Sequence, residues 1–244
     1  MIYYLYDESF SGLLTSIYEA YYNEQKPDYI VGESKYKKSL FAETTKIKTD
    51  ENKADKVVKA IKNKISKKIY KNIYYVYLSE KSNVELDIYY YLKKAFKKGK
   101  EFENNWADNR VRRIKKLSKK VGRERHKYLG LLRFRELEEN ILYAPFEPDN
   151  FLLPIISNHF ASRMKNKRWV IHDKKRDMAV IYEENEWMII DGSELPKINY
   201  SEDEIYYQKL WKNFFDNITI KNRINLELQQ NYMPKKYQKY LIEK

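Results

Sequence analysis

The chain has 244 residues, 43% of them hydrophobic and 34% charged, with a formal net charge of +13. That is enough apolar content to bury a core in one or two domains, so a disordered chain is excluded. There is no cysteine, which rules out disulfides, iron–sulfur ligation and thiol catalysis by this chain. No apolar run approaches 18 residues, and the start, MIYYLYDESF, lacks the basic head and long apolar run of a signal peptide. A cytoplasmic protein is the expectation.

Tyr3–Tyr6 reads as a short strand and Asp7-Glu8-Ser9 as its turn. Ser9 is placed to cap a helix, with Gly12 loosening its first turn. Phe10, Leu13, Leu14, Ile17, Tyr18 and Tyr21 then recur at spacings of three and four, and Pro27 bars extension beyond Tyr22. Residues 28–48 give no clear period. Asp50 can cap a second helix carrying Ala54, Val57, Val58, Ile61 and Ile65 on one face. Ile69–Leu78 is aromatic and β-branched, a strand or the start of a helix. Ile88–Phe96 reads as helix. The polar stretch KKGKEFENN then divides an aromatic-rich α/β part, residues 1–100, from residues 101–244. One continuous domain is the alternative.

The second part opens with the densest charge in the chain. All 11 arginines lie at or beyond position 110, and residues 109–135 hold 12 basic residues against one acidic residue. A helix is expected from about Trp106 to Leu129, packed through Val111, Ile114, Leu117, Val121, Tyr128 and Leu132. Arg112, Arg113, Lys116, Lys119, Lys120, Arg123 and Lys127 lie mostly elsewhere on its surface. Such a patch can replace counterions around a phosphate backbone, so DNA is the first partner to consider. The bland alternative is a solvated helix face.

Arg133 and Arg135 follow on a strand with alternating Leu132 and Phe134. Both arginines are expected on one face, as a two-arginine phosphate clamp or as partners of Glu136 or Glu138. The strand pairs with a second, across Glu138-Glu139-Asn140, and Pro145 and Pro148 close the pair. Phe151–Met164 reads as a helix, and RWVIHD, DMAVIYEE and EWMIID as a three-strand meander. Glu202–Phe215 is an amphipathic helix, and Ile220–Leu241 a tail of helical segments broken by Pro234. The expected fold is α+β: an antiparallel sheet, hairpin plus meander, packed with helices, after the aromatic-rich α/β N-terminal part.

The three histidines match no zinc spacing, so no metal site is expected. There is no phosphate loop or dinucleotide fingerprint, and no cofactor is expected. His159, His172 and Asp173 are the weak catalytic candidates. With Arg163, Arg168 and Arg176 they would form a phosphate-binding or acid–base cluster if they converge. A structural polar network is the alternative. Trp211, Tyr232, Met233 and Tyr237 are candidate anchors for a protein partner.

Several long stretches resemble one family. YDESFSGLLTSIYEAY (6–21), TDENKADKV (49–57), residues 112–164 from RRIKKLSKK to SNHFASRM, RWVIHDKKRDMAVIY (168–182) and RINLELQQNYMPKKYQKYL (223–241) are similar to the bacterial DNA-metabolism and DNA-repair proteins that carry domain-of-unknown-function family 4130 (DUF4130). Glu8 stands where the family has glycine, Leu226 for its proline, Lys236 for an arginine and Gln238 for a tryptophan. The polar positions that match the family's motifs are Arg133, Arg135, Glu136, Asp149, His159, Arg163, Arg168, His172, Asp173, Arg176, Arg223 and Gln229. The resemblance implies a DNA-binding accessory protein of DNA repair or modification, acting with a radical-SAM protein. It hands over no active site. A glycosylase or nuclease, and a protein-interaction subunit without DNA contact, stay as alternatives.

Overall fold

A computed structural model describes residues 1–104 and 107–242. The chain divides into two compact units, Met1–Gly122 and Arg123–Lys244.

The first unit is built on an all-parallel sheet. β1 (Ile2–Tyr6) runs between β2 (Tyr29–Gly32) and β3 (Glu43–Lys46), so part of the region without a sequence period supplies two strands. α1 (Phe10–Tyr22) starts at Ser9, whose hydroxyl accepts from the Gly12 amide at 2.8 Å. Gly12 does not loosen this turn. A Cβ there would sit 2.1 Å from Oδ1 of Asp7, so glycine is what allows the Asp7 loop to fold against the helix. Glu8 has φ of +63°, a left-handed conformation that glycine adopts most readily. Its carboxylate accepts from the Ser34 amide at 3.0 Å, a contact glycine could not make.

α2 (Glu51–Ala60), capped by Asp50, passes through a π-helical turn, Ile61–Ile65, into α3 (Lys67–Tyr77). The aromatic run is therefore helix. Ser66 caps it by accepting from Ile69, and Ile69, Ile73 and Val76 repeat at a helical spacing on its buried face. Tyr70, Tyr74 and Tyr77 meet the Phe10 ring from another side. α4 (Val84–Lys98) and the N-terminal part of α5 (Asn109–Leu131) complete the core through Ile88, Leu92, Val111 and Ile114. Trp106, the expected start of that helix, lies outside the described residues.

The second unit carries β4 (Arg135–Glu136), β5 (Ile141–Phe146), α6 (Leu153–Arg163), β6 (Arg168–Asp173), β7 (Met178–Glu183) and β8 (Glu186–Asp191). The five strands form one sheet in the order β4-β5-β6-β7-β8. This sheet is mixed, which overturns the expected antiparallel hairpin plus meander, as does the parallel sheet of the first unit. The cause is α6. Its 11 residues carry the chain back along the sheet, so β6 runs parallel to β5, with Ile141 opposite Arg168 and Phe146 opposite Asp173. A strand–helix–strand run is the usual sign of such a crossover. One face of the sheet buries Trp169 and Ile171, with Phe160 of α6 and Tyr182 stacked on Trp169 at 4.9 Å. The other packs Leu137, Tyr143, Val170 and Ala179 against Leu195, Ile198 and Tyr200. α7 (Glu202–Ile218), α8 (Leu226–Tyr232) and α9 (Lys235–Gln238) follow. Among the described residues, no helix is long and apolar enough to cross a membrane.

Candidate nucleic-acid interface

The cations of α5 have unequal fates. Val111, Ile114, Ser118 and Val121 are buried in the first unit, which turns Arg112, Lys116, Lys119 and Lys120 outward on the opposite face, one turn apart. Arg113 is exposed too, but its guanidinium pairs with Asp87 and donates to the Ser82 carbonyl at 2.7 Å. Arg110 lies 3.7 Å from the same carboxylate and covers the Tyr90 ring at 4.3 Å. Burial raises the pKa of Asp87, and the two arginines work against that rise. Arg112 bonds to Asn109, a neutral group. Among the described residues, no carboxylate lies within ion-pair distance of Lys116, Lys119 or Lys120, so those charges are available to an external anion.

In the second unit the same helix shows Arg123 to solvent. Lys127 lies over the Tyr237 ring at 5.1 Å, and Arg125 donates to the Ile155 carbonyl at 2.8 Å. Arg133 falls before β4 and donates to the Gly130 carbonyl. Arg135 faces inward. It donates to the Tyr200 hydroxyl at 3.1 Å and the Tyr240 carbonyl at 2.8 Å, and its guanidinium covers the Tyr200 ring. The two arginines therefore share no strand face, and Arg135 is held inside its own unit.

The weak catalytic candidates do not converge. His172 and Asp173 are neighbours on β6 and so point to opposite faces of the sheet. His172 is buried, with Nδ1 3.0 Å from the Tyr143 hydroxyl and Nε2 3.0 Å from Asp177. Burial lowers its pKa and outweighs the Asp177 contact, so it is neutral at pH 7. Burial also pushes the Tyr143 phenol up to about 12. Asp173 has 0% exposure and accepts from the Lys175 amide and the Arg176 guanidinium, closing the β6–β7 turn. His159 is half-buried on α6, edge-on to Phe160, and Arg163 is exposed on the same helix. Arg168 bonds to the Glu139 carbonyl and approaches Glu183 at 3.7 Å, and Arg176 reaches the Pro148 carbonyl. Among the described residues, no three His, Asp or Glu side chains are grouped to hold a metal ion.

Sequence reasoning missed the most connected polar site. Glu124, 4% exposed, accepts from the amides of Asp149 and Asn150 at 2.9 and 3.1 Å, and from Lys236 at 2.7 Å. Lys236 also pairs with Asp149 at 2.6 Å, and these two carboxylates raise its pKa against the opposing effect of burial. Tyr240 donates to Glu147 at 2.6 Å. The signal was present: Glu124 is the one acid in the basic stretch and falls in step with Val121 and Tyr128 on the apolar face. A charge at such a position calls for a partner. Lys236 is that partner.

No curated protein and no solved structure matches the chain. The family profile described as domain of unknown function DUF4130 matches residues 82–243. That span holds α5, the mixed sheet and the Glu124–Lys236 clasp, together with the resembling blocks at 112–164, 168–182 and 223–241. The blocks at 6–21 and 49–57 lie outside it. With more than half of its length covered by one continuous match, the chain belongs to the DUF4130 family.

Proposed function

We propose that the chain is a DNA-binding accessory protein of a bacterial DNA repair or DNA modification system, acting in the cytoplasm with a radical-SAM partner. The observation that supports DNA contact is the row on α5. Lys116, Lys119 and Lys120 project from one helix face with Arg112 and, among the described residues, meet no carboxylate, while Arg110 and Arg113 beside them share the Asp87 carboxylate. Cations held on a rigid helix and left without internal partners suit a phosphate backbone, because each contact releases a condensed counterion. Such contacts position a protein on DNA and carry little sequence information, which fits an accessory role. The repair context and the radical-SAM partner come from the resemblance to DUF4130 proteins.

The test is duplex and single-strand binding by the purified chain over a salt series. With several phosphates engaged, log affinity falls linearly against log salt, by about 0.9 per phosphate on duplex. Affinity that stays constant from about 50 to about 300 mM salt refutes the reading. Co-purification with the radical-SAM neighbour tests the partner.

A further inference from the structure

α1 and α2 of the first unit frame a cleft of about 420 Å³, floored by the buried Ile17 and Val57. One wall is aromatic. Tyr18 lies 4.6 Å from Tyr22, Tyr22 lies 5.4 Å from Tyr21, and Tyr21 lies 6.4 Å from Phe96 of α4, so the rings make an unbroken chain. Tyr21 is 49% exposed and Tyr22 67%. Tyr4, Tyr77 and Tyr89 of the same unit tie their hydroxyls to the carbonyls of Gln25, Glu8 and Ala20. Among the described residues, no such bond holds the hydroxyls of Tyr18, Tyr21 or Tyr22. The cleft rings therefore keep their faces and their polar ends open to solvent.

The other wall, α2 and the π-helical turn after it, supplies Lys56 and Lys64. Both are exposed, and among the described residues neither has a carboxylate within ion-pair distance, nor does a carboxylate line the cleft. The two lysines are about 12 Å apart along the helix at 1.5 Å per residue, a spread that suits a repeating anion better than a single one. A π-helical turn is rare and is frequent at functional sites. Aromatic faces beside cations fit a ligand that carries flat rings on an anionic backbone, which is how single strands are held. A duplex does not fit, because each of its bases is covered by its neighbours. An extended peptide finds no free strand edge between two helices, and a proline-rich one brings no anion to the lysines.

We propose that this cleft binds an unpaired DNA strand, with bases stacked on Tyr21 and Tyr22 and phosphates on Lys56 and Lys64. The choice of DNA over RNA rests on the function proposed above. The choice of an unpaired strand rests on the cleft, and nothing in it uses the lysine row of α5.

The test uses the full chain and a thymidine oligonucleotide of about 12 nucleotides that carries one 2-aminopurine. Binding is expected to quench the 2-aminopurine by stacking. Tyr22→Ala weakens binding about 5- to 150-fold and removes the quench, whereas Tyr22→Phe keeps both. Lys56→Gln combined with Lys64→Gln makes the slope of log affinity against log salt shallower by about 1.4. Tyr206→Ala, which removes a comparably exposed ring on α7, changes neither readout. Circular dichroism and thermal melting confirm that the variants fold. Strand binding indifferent to Tyr22→Ala overturns the proposal, and duplex binding that keeps its salt slope in that case leaves the α5 reading standing. Absent duplex binding beside strand binding that depends on Tyr22 removes the α5 reading and leaves the cleft. A uridine strand preferred over thymidine, or anionic lipid vesicles bound in place of the strand, overturns the proposal as well.

Discussion

Replacing Lys116, Lys119 and Lys120 together by glutamine separates the exposed row of α5 from the paired arginines next to it. Among the described residues the three lysines have no carboxylate partner, and their side chains leave the face opposite the buried Val111, Ile114 and Val121. Their loss is therefore expected to leave the melting temperature within about 1 °C, since exposed substitutions change stability by no more than about 0.5 kcal/mol. If each contacts one phosphate, the slope of log affinity against log salt becomes shallower by about 2.7 on duplex. Between about 50 and about 200 mM salt that slope change amounts to about a 40-fold difference in how far affinity falls. The contrast is Arg113→Gln. Arg113 is engaged by Asp87 and the Ser82 carbonyl, so its loss leaves a half-buried carboxylate with only the more distant Arg110. Stability is expected to drop by about 1 kcal/mol, discounted because Arg113 is partly exposed, with little change in slope. Fluorescence anisotropy on labelled duplex at four or more salt concentrations reads both. An unchanged slope in the triple variant, or a larger slope change in Arg113→Gln, refutes the division into free and engaged cations.

Four further outcomes follow from the interior of the two units. Arg135→Lys keeps the charge but loses the fork that joins Tyr200 to Tyr240, so calorimetry should show a loss of about 1–2 kcal/mol while DNA affinity holds. Lys236→Met leaves buried Glu124 without its cation, with only the amides of Asp149 and Asn150 and the Asn150 side chain donating to it. A loss of about 2–3 kcal/mol is expected in urea denaturation, and no loss would show that those amides suffice. The pKa of His172 is lowered from 6.5 in the fold, so the unfolded chain takes up its proton first as pH falls. The stability it protects is complete above pH 6.5 and declines below it, and His172→Gln should flatten that part of a melting-temperature profile. Gly12→Ala forces a Cβ to within 2.1 Å of Asp7 and should destabilise the first unit by about 1–3 kcal/mol, read by thermal melting.

Local signals were legible where one residue decides the geometry. Ser9 and Asp50 cap their helices by accepting from Gly12 and Lys53, as their position before an apolar period implies. What failed was information held in pairs of distant residues. The order of the strands depends on α6 returning the chain, and nothing within β5 or β6 states which way its neighbour runs. Ile69–Leu78 was open between strand and helix because β-branched and aromatic residues favour strands, while the spacing of Ile69, Ile73 and Val76 favours a helix; the buried face decided it. The basic stretch was visible as composition, but its division was not. Asp87, 23 positions before Arg110, sets which arginines are engaged, and Tyr200 and Tyr240 set the fate of Arg135.

The clasp on Glu124 also orders events during synthesis. Its carboxylate lies on a helix made early, and the ammonium that answers it is 112 residues further along. Until Lys236 emerges from the ribosome, the second unit holds a carboxylate that is costly to enclose. The same wait applies to Glu147, which is answered by Lys239 and Tyr240. Slow translation near residue 236 would therefore prolong a loosely closed state open to proteases and chaperones. A chain truncated before Lys236 should be cut near Asp149 more readily than the full chain.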